Sequence, residues 1–236
     1  MVKHDPISGR FGRRNFLYQT FSGAAVALAA RTGSGLISAR EIKPQTKLTP
    51  DSAFDELMAG NQRFVANQLT SIEHDLVILK GHTVEKQEPF AGVLSCADSR
   101  VPVELVFDQT IGHLFVTRVA GNIVTAEIIG SLEYGVAVLG IKALLVLGHT
   151  SCGAVKAAMK AGSVPGQISV LYKHLRPAVE KSNGDVDNAI EQNAALQAEL
   201  LRTSSTVISE AVKEGKLKVA AGVYDLGTGK VRLTSA

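Results

Sequence analysis

The chain has 236 residues, 45% of them apolar, with 25 basic and 22 acidic side chains; that is enough to bury the core of one α/β domain, and nothing suggests two. The net charge of +3 is confined to the start, because the first 30 residues hold Lys3, Arg10, Arg13 and Arg14 against Asp5 alone, leaving 21 groups of each sign in the remainder. The electrostatic footprint of a nucleic-acid binder is therefore missing from the body of the chain.

Residues 10–30 place a paired arginine before an Ala-rich apolar run of about 15 residues, short of a membrane span and right for the central region of an export signal. The stretch resembles a twin-arginine signal, with Arg13 and Arg14 as the pair read by the export machinery and Phe16 and Leu17 in their usual places. Ala27-Leu28-Ala29 and Ile37-Ser38-Ala39 each offer a cleavage site. Residues 1–39 are thus expected to be signal and the start of a linker, and 40–236 a single domain. The mature chain is expected in the periplasm, or in the thylakoid lumen of a photosynthetic bacterium; a retained leader would instead anchor it to a membrane.

Residues 31–50 carry Gly, Ser, Lys and Pro without apolar periodicity, the pattern of a linker. Thr49-Pro50 opens a helix with proline in its first turn. Phe54, Leu57, Met58, Phe64 and Val65 share one face of it, available to the body of the chain or to a partner subunit. Pro89-Phe90 closes a polar loop before a strand from Ala91 to Ser95, and Ser99 to Val106 reads as a turn with a short helix from about Pro102. A second strand is expected over Leu114 to Val119, and a helix over Thr125 to Leu139 with Ile128, Leu132, Val136 and Leu139 inward. Ala143 to Leu147 is a third strand, and Gly153 to Lys160 begins the next helix. Helices over Ile168 to Lys181 and Val186 to Lys213 follow, then a strand from Leu217 to Tyr224, a turn at 225–229 and a last extended piece from Lys230 to Leu233. Strands alternating with helices predict an α/β fold with a mostly parallel central sheet flanked by helices. The C-terminal helices read as scaffold and subunit contacts rather than chemistry.

Cys96 and Cys152 are the only cysteines, and each follows an apolar run that reads as a buried strand. Ligands collect beyond the carboxyl ends of parallel strands, so Leu94–Arg100 (L-S-C-A-D-S-R) and Leu147–Ala154 (L-G-H-T-S-C-G-A) can meet at one site. Cys96, His149 and Cys152 then form a Cys2His set suited to Zn2+, with a fourth position for water or for the carboxylate of Asp98. The alternatives are a disulfide between the two cysteines, or two inert buried thiols. His4, His74, His82, His113 and His174 lack ligand spacing and read as surface residues.

The segments C-A-D-S-R-V-P, F-V-T-R-V-A-G-N, S-L-E-Y-G-V and G-H-T-S-C-G-A-V resemble the β-class carbonic anhydrases over about Phe54 to Val231. Ala97 departs from the family's usual serine at a position that neither ligates metal nor moves protons. The resemblance implies one Zn2+ per subunit on Cys96, His149 and Cys152, and reversible hydration of CO2 to bicarbonate and a proton by attack of zinc-bound hydroxide. It gives Asp98 the role of accepting that hydroxide's hydrogen bond and Arg100 the role of fixing the carboxylate. In some members the same carboxylate takes the fourth zinc position, and that closed subgroup has tryptophan three residues before the first cysteine. Val93 stands there and the chain has no tryptophan, so an open, plant-type site near neutral pH is expected. Gln87, Phe115, Ala120, Tyr134 and Gly153 match positions around CO2 or bicarbonate, with Gln87 reachable from a neighbouring subunit of a homodimer or higher even homo-oligomer. The alternatives are a CS2 or COS hydrolase on the same scaffold, and an exported zinc-binding protein without turnover, which would have no use for Asp98, Arg100 or Gln87.

Overall fold

A computed structural model describes residues 46–70, 86–160 and 162–234. The expected export signal with Arg13 and Arg14, and His4, His74 and His82, lie outside the described residues. Helix α1 (Pro50–Val65) begins where a capping box predicts it. Thr49 Oγ1 accepts the Ser52 N–H at 3.2 Å and Ser52 Oγ accepts the Thr49 N–H at 2.8 Å, while Pro50 brings no N–H that needs a partner. Ala53, Phe54 and Leu57 are buried with Phe90, Val101, Val103 and Phe107, so the first half of the apolar stripe is covered within the chain, while Met58 and Phe64 are half-buried and Val65 is exposed. The helix sits so close to what lies beneath it that a Cβ on Gly60 would overlap the Phe107 carbonyl. Asn61, nearly fully buried, donates to Val106 O at 3.1 Å and Gly229 O at 2.9 Å and accepts the Val231 N–H at 2.8 Å.

Five strands are described, in the order β2-β1-β3-β4-β5. They are β1 (Ala91–Ser95), β2 (Leu114–Arg118), β3 (Ala143–His149), β4 (Lys218–Tyr224) and β5 (Val231–Leu233). All pairings are parallel except β4 with β5. β1 and β3 are buried along their whole length, which is why their sequences run apolar without alternation: both faces are covered. The period of two sorts their side chains. Val93, Leu145 and Leu147 face α1 and the one-turn α2 (Val103–Val106). Leu94, Leu144 and Val146 face the other layer, built by α3 (Ala126–Ala137), α6 (Val186–Ser204) and α7 (Thr206–Lys213). Two further α-helices are described, α4 (Gly153–Lys160) and α5 (Ser169–Lys181).

One expected helix is in fact two. No glycine or proline interrupts 186–213, yet Ser205 is extended (φ −112°, ψ 118°) and starts a new helix by accepting the Ile208 N–H on its hydroxyl at 3.1 Å. The same hydroxyl donates to Glu133 Oε1 at 2.7 Å, so a tertiary partner on α3 holds the break that local pattern does not announce.

Candidate metal centre

The parallel register of β1 and β3 pairs Ser95 with Leu147, so Cys96, one residue beyond, and His149, the last residue of β3, emerge side by side at the carboxyl edge. A tight turn through Ser151, with φ at +59°, returns Cys152 to the same place at the foot of α4. The ligating atoms of Cys96, His149 and Cys152 lie within 4.8 Å of one another, and all three residues are buried. Both cysteines are free, which disposes of the disulfide alternative.

The donor set fits a borderline-soft divalent cation. His149 Nδ1 lies 3.0 Å from the Thr150 carbonyl, and a carbonyl only accepts, so the proton sits on Nδ1 and Nε2 presents its lone pair. That Nε2 is buried without any hydrogen-bond partner. A fully buried imidazole nitrogen left bare beside two sulfurs is unfavourable unless something cationic meets it. The hydrogen bond from Cys152 pulls the Cys96 thiol down to about 4, against the opposing effect of burial and with help from His149 and the Gly121 N–H. The same bond, with burial second, pushes Cys152 up. Without a cation the two sulfurs therefore share one proton. The backbone N–H groups of Val155 and Ala154, in the first turn of α4, face Cys152 and favour its thiolate.

Asp98 stands over the open side. Its Oδ1 accepts the Arg100 backbone N–H at 3.0 Å and Nε–H at 2.9 Å, and its Oδ2 accepts from the second guanidinium nitrogen at 2.8 Å. Arg100 holds the Asp98 carboxyl well below the usual carboxylate range. Oδ2 is 3.7 Å from His149 Nε2, too long for a hydrogen bond and short enough to overlook whatever His149 binds.

Among the other expected residues, Ala120 stands beside the site. It opens the 3-10 turn Ala120–Asn122, whose next residue, Gly121, donates its N–H to Cys96 Sγ at 3.3 Å. Gly153 directly follows Cys152 at the start of α4, is exposed, and has nothing within 4 Å of where a Cβ would go. Gln87, Phe115 and Tyr134 are not brought to the metal residues within one chain. Phe115 pairs with Gly92, four residues before Cys96, about 13 Å down the strand. Its ring meets Tyr134, 48% exposed, at 6.2 Å between centroids. Gln87 is exposed ahead of β1, at the amino end of the sheet. Two histidines also part company: His113 is exposed and packs edge-on to Phe90, whereas His174, expected at the surface, is half-buried and lowered in pKa by burial and then by Lys173.

Sequence reasoning missed Arg118. Its Nε donates to the Cys96 carbonyl at 3.0 Å, and its guanidinium also donates to the Asp98 carbonyl. It therefore grips both ends of the loop that carries one ligand and the carboxylate. The signal was present: Arg118 closes F-V-T-R at the end of β2, and β2 register pairs it with Ser95, the residue before Cys96.

A family model described as carbonic anhydrase matches residues 91–231. Carbonic anhydrase 2 of Mycobacterium tuberculosis is 35% identical over 196 residues, covering 78% of this chain and 92% of that protein. Among solved structures, a tetrameric β-carbonic anhydrase of Sordaria macrospora superposes with a TM-score of 0.62 at 23% identity, over 78% of this chain and 98% of that one. The Coccomyxa β-carbonic anhydrase in complex with acetazolamide gives 0.57 at 28% identity, over 78% and 82%.

Proposed function

Because the chain belongs to the β-class carbonic anhydrases, we propose that it catalyses the reversible hydration of CO2 to bicarbonate and a proton with one Zn2+ held by Cys96, His149 and Cys152. The observation that carries this reading is the bare, buried His149 Nε2 set between two sulfurs and overlooked by an Arg100-held carboxylate. Zn2+ would supply the Lewis acidity that makes water a nucleophile near neutral pH. Every other task falls to the chain. The Thr150 carbonyl fixes the tautomer and plane of His149. Asp98, ionised through the working pH range, accepts a hydrogen bond from the reacting water on Oδ2 and so fixes the direction of its lone pair toward CO2. Arg100 occupies the carboxylate from the far side and keeps it from turning inward as a ligand. Together with Val93 in the place of a tryptophan, this supports an open site near neutral pH; a zinc-loaded structure at pH 7.5 or above with Asp98 on the metal would contradict it.

The pocket is completed, in this proposal, by a second copy of the chain in a homodimer or higher even oligomer. Gln87, ahead of β1 at the amino end of the sheet, and Tyr134, packed on the Phe115 ring, are both exposed and so are available to a partner's site. Arg13 and Arg14 direct export of the folded, metal-loaded chain to the periplasm. Loading before export would protect both thiolates from oxidation. Among the described residues no helix is long and apolar enough to cross a membrane. Replacing Arg13 and Arg14 by lysine should retain the protein in the cytoplasm; unchanged fractionation would remove the export reading and leave the catalytic one intact.

Stopped-flow CO2 hydration on metal-quantified protein tests the activity. Wild type should turn over with one zinc per chain, Cys152→Ser should lose both zinc and rate, and Asp98→Ala should keep zinc and lose rate. Equal rates in all three would end the proposal.

A further inference from the structure

A chain of buried polar contacts leads from the metal centre into α6, a helix that sequence pattern assigns to scaffold. Gly121 donates its N–H to Cys96 Sγ at 3.3 Å, and the Gly121 carbonyl accepts Asn193 Nδ2–H at 2.8 Å. Asn193 Oδ1 in turn accepts Gln197 Nε2–H at 3.2 Å, and Gln197 Oε1 accepts the Val124 N–H at 2.8 Å. The second Gln197 donor contact goes to the His174 carbonyl at 3.2 Å. Asn193 is 1% exposed and Gln197 4%. Side-chain amides are unfavourable in a core unless their bonds are made; these two stand one helical turn apart and hold the two ends of one short turn, 121–124.

We propose that Asn193, braced by Gln197, is a positioning residue for the metal centre: it fixes the turn so that the Gly121 N–H stays on the Cys96 sulfur. The turn needs such a tether. Gly121 is left-handed at φ +77° and Asn122 at +43°, conformations that a free loop has little reason to keep in succession. On the other side Gly121 is wedged, since a Cβ there would press within 3.1 Å of Leu175 and 3.4 Å of the Ala154 Cβ. The two peptide planes that meet at Gly121 are therefore fixed together, its N–H on Cys96, its carbonyl on Asn193, and its α-carbon against Leu175 and Ala154. An N–H donated to a ligating thiolate draws electron density from the sulfur. The sulfur then gives less charge to the cation, which stays the stronger Lewis acid. Two thiolates would otherwise formally neutralise a divalent ion, so this correction acts where the donor set is weakest.

The inference rests on the Cys2His set holding a divalent ion, and its test separates the two. Co2+-loaded wild type should show a thiolate-to-cobalt charge-transfer band. In Asn193→Leu that band should move to longer wavelength as the sulfur regains density, and Co2+ affinity should fall by about 10–100-fold because the Cys96 sulfur is no longer held in place, which outweighs its stronger donation. A folded Asn193→Leu protein with the wild-type band and affinity overturns the positioning role and leaves the metal reading standing. Wild type that takes up no Co2+ overturns both. A second measurement needs no variant: in wild type loaded with NMR-active cadmium, the Gly121 amide proton should show scalar coupling to the metal through Cys96 Sγ. Its absence from the loaded, folded protein likewise overturns the proposal.

Discussion

The two loops that build the metal centre are held in different ways. The one after β3 is held by the backbone of β4 and of the residues after it: the Thr150 N–H continues the ladder to the Tyr224 carbonyl at 2.9 Å and Thr150 Oγ1 accepts the Leu226 N–H at 3.0 Å, while the Cys152 carbonyl accepts the Lys156 N–H at 3.1 Å as the first turn of α4. The one after β1 is held by an arginine side chain of β2 and by the turn that follows that strand. Arg118 of β2 grips the Cys96 and Asp98 carbonyls, and Gly121 reaches the Cys96 sulfur. Their exposure differs accordingly, His149 and Cys152 being buried while Arg100 keeps 54% of its side chain exposed. One loop is a clamp for His149 and Cys152; the other presents Cys96 and Asp98, and its geometry is borrowed from β2 and from the turn that follows it.

The strongest way to break this contrast is to remove a sulfur from either side. Cys96→Ser and Cys152→Ser should both abolish stoichiometric zinc and bring CO2 hydration to the uncatalysed level, because a Cys2His site cannot spare a donor; metal analysis with stopped-flow rates checks it. Arg118→Met separates the loops. It should keep zinc, since no ligand is lost, but let the Asp98 segment drift, and a displacement of about 1 Å costs on the order of 100-fold in kcat. A fall in zinc content equal to the fall in rate would show that the loops are not independent.

Metal uptake should depend on pH with a sign set by the sulfurs. Cys96, drawn down to about 4, is already ionised above that pH, while Cys152 is pushed up and keeps its proton through neutrality. Binding must then displace one proton, so zinc affinity should rise about tenfold per pH unit between roughly 5 and 8. Competition with a chelator across that range measures the slope, and a flat profile would mean that Cys152 gives up no proton to the metal and is not a thiolate ligand. The smallest effect is expected on the clamp side. Thr150→Val leaves the Leu226 N–H without its acceptor and should lower stability by about 1–2 kcal/mol in urea, with kcat almost unchanged.

The same contrast explains what was legible in the sequence. Cys96, His149 and Cys152 could be read because strand, ligand and following helix lie in one continuous stretch, and because Asp98 and Arg100 sit within a few residues of Cys96. Thr49-Pro50 likewise announces α1 through its own cap. Arg118 was passed over because it reaches Cys96 only through the parallel pairing of β1 with β2. Asn193 and Gln197 were passed over because an Ala- and Gln-rich helix displays no period that marks which amides point inward. Ser205 escaped for a related reason, since its partner Glu133 is 72 residues away. Phe115 and Tyr134 were named by resemblance, but Phe115 pairs with Gly92, four residues before Cys96, and Tyr134 packs on its ring, a placement that linear order does not announce.

Gly60 turns the first helix into an indexed part of the machine. Because the peptide backbone itself bears on Phe107 there, α1 cannot slide by a turn or roll without colliding, and a saturation library at codon 60 should return glycine alone among well-folded clones. Helix α1 is therefore a keyed cover on one face of the sheet, and deleting it would strip Phe90, Val103 and Phe107 bare rather than trim an ornament.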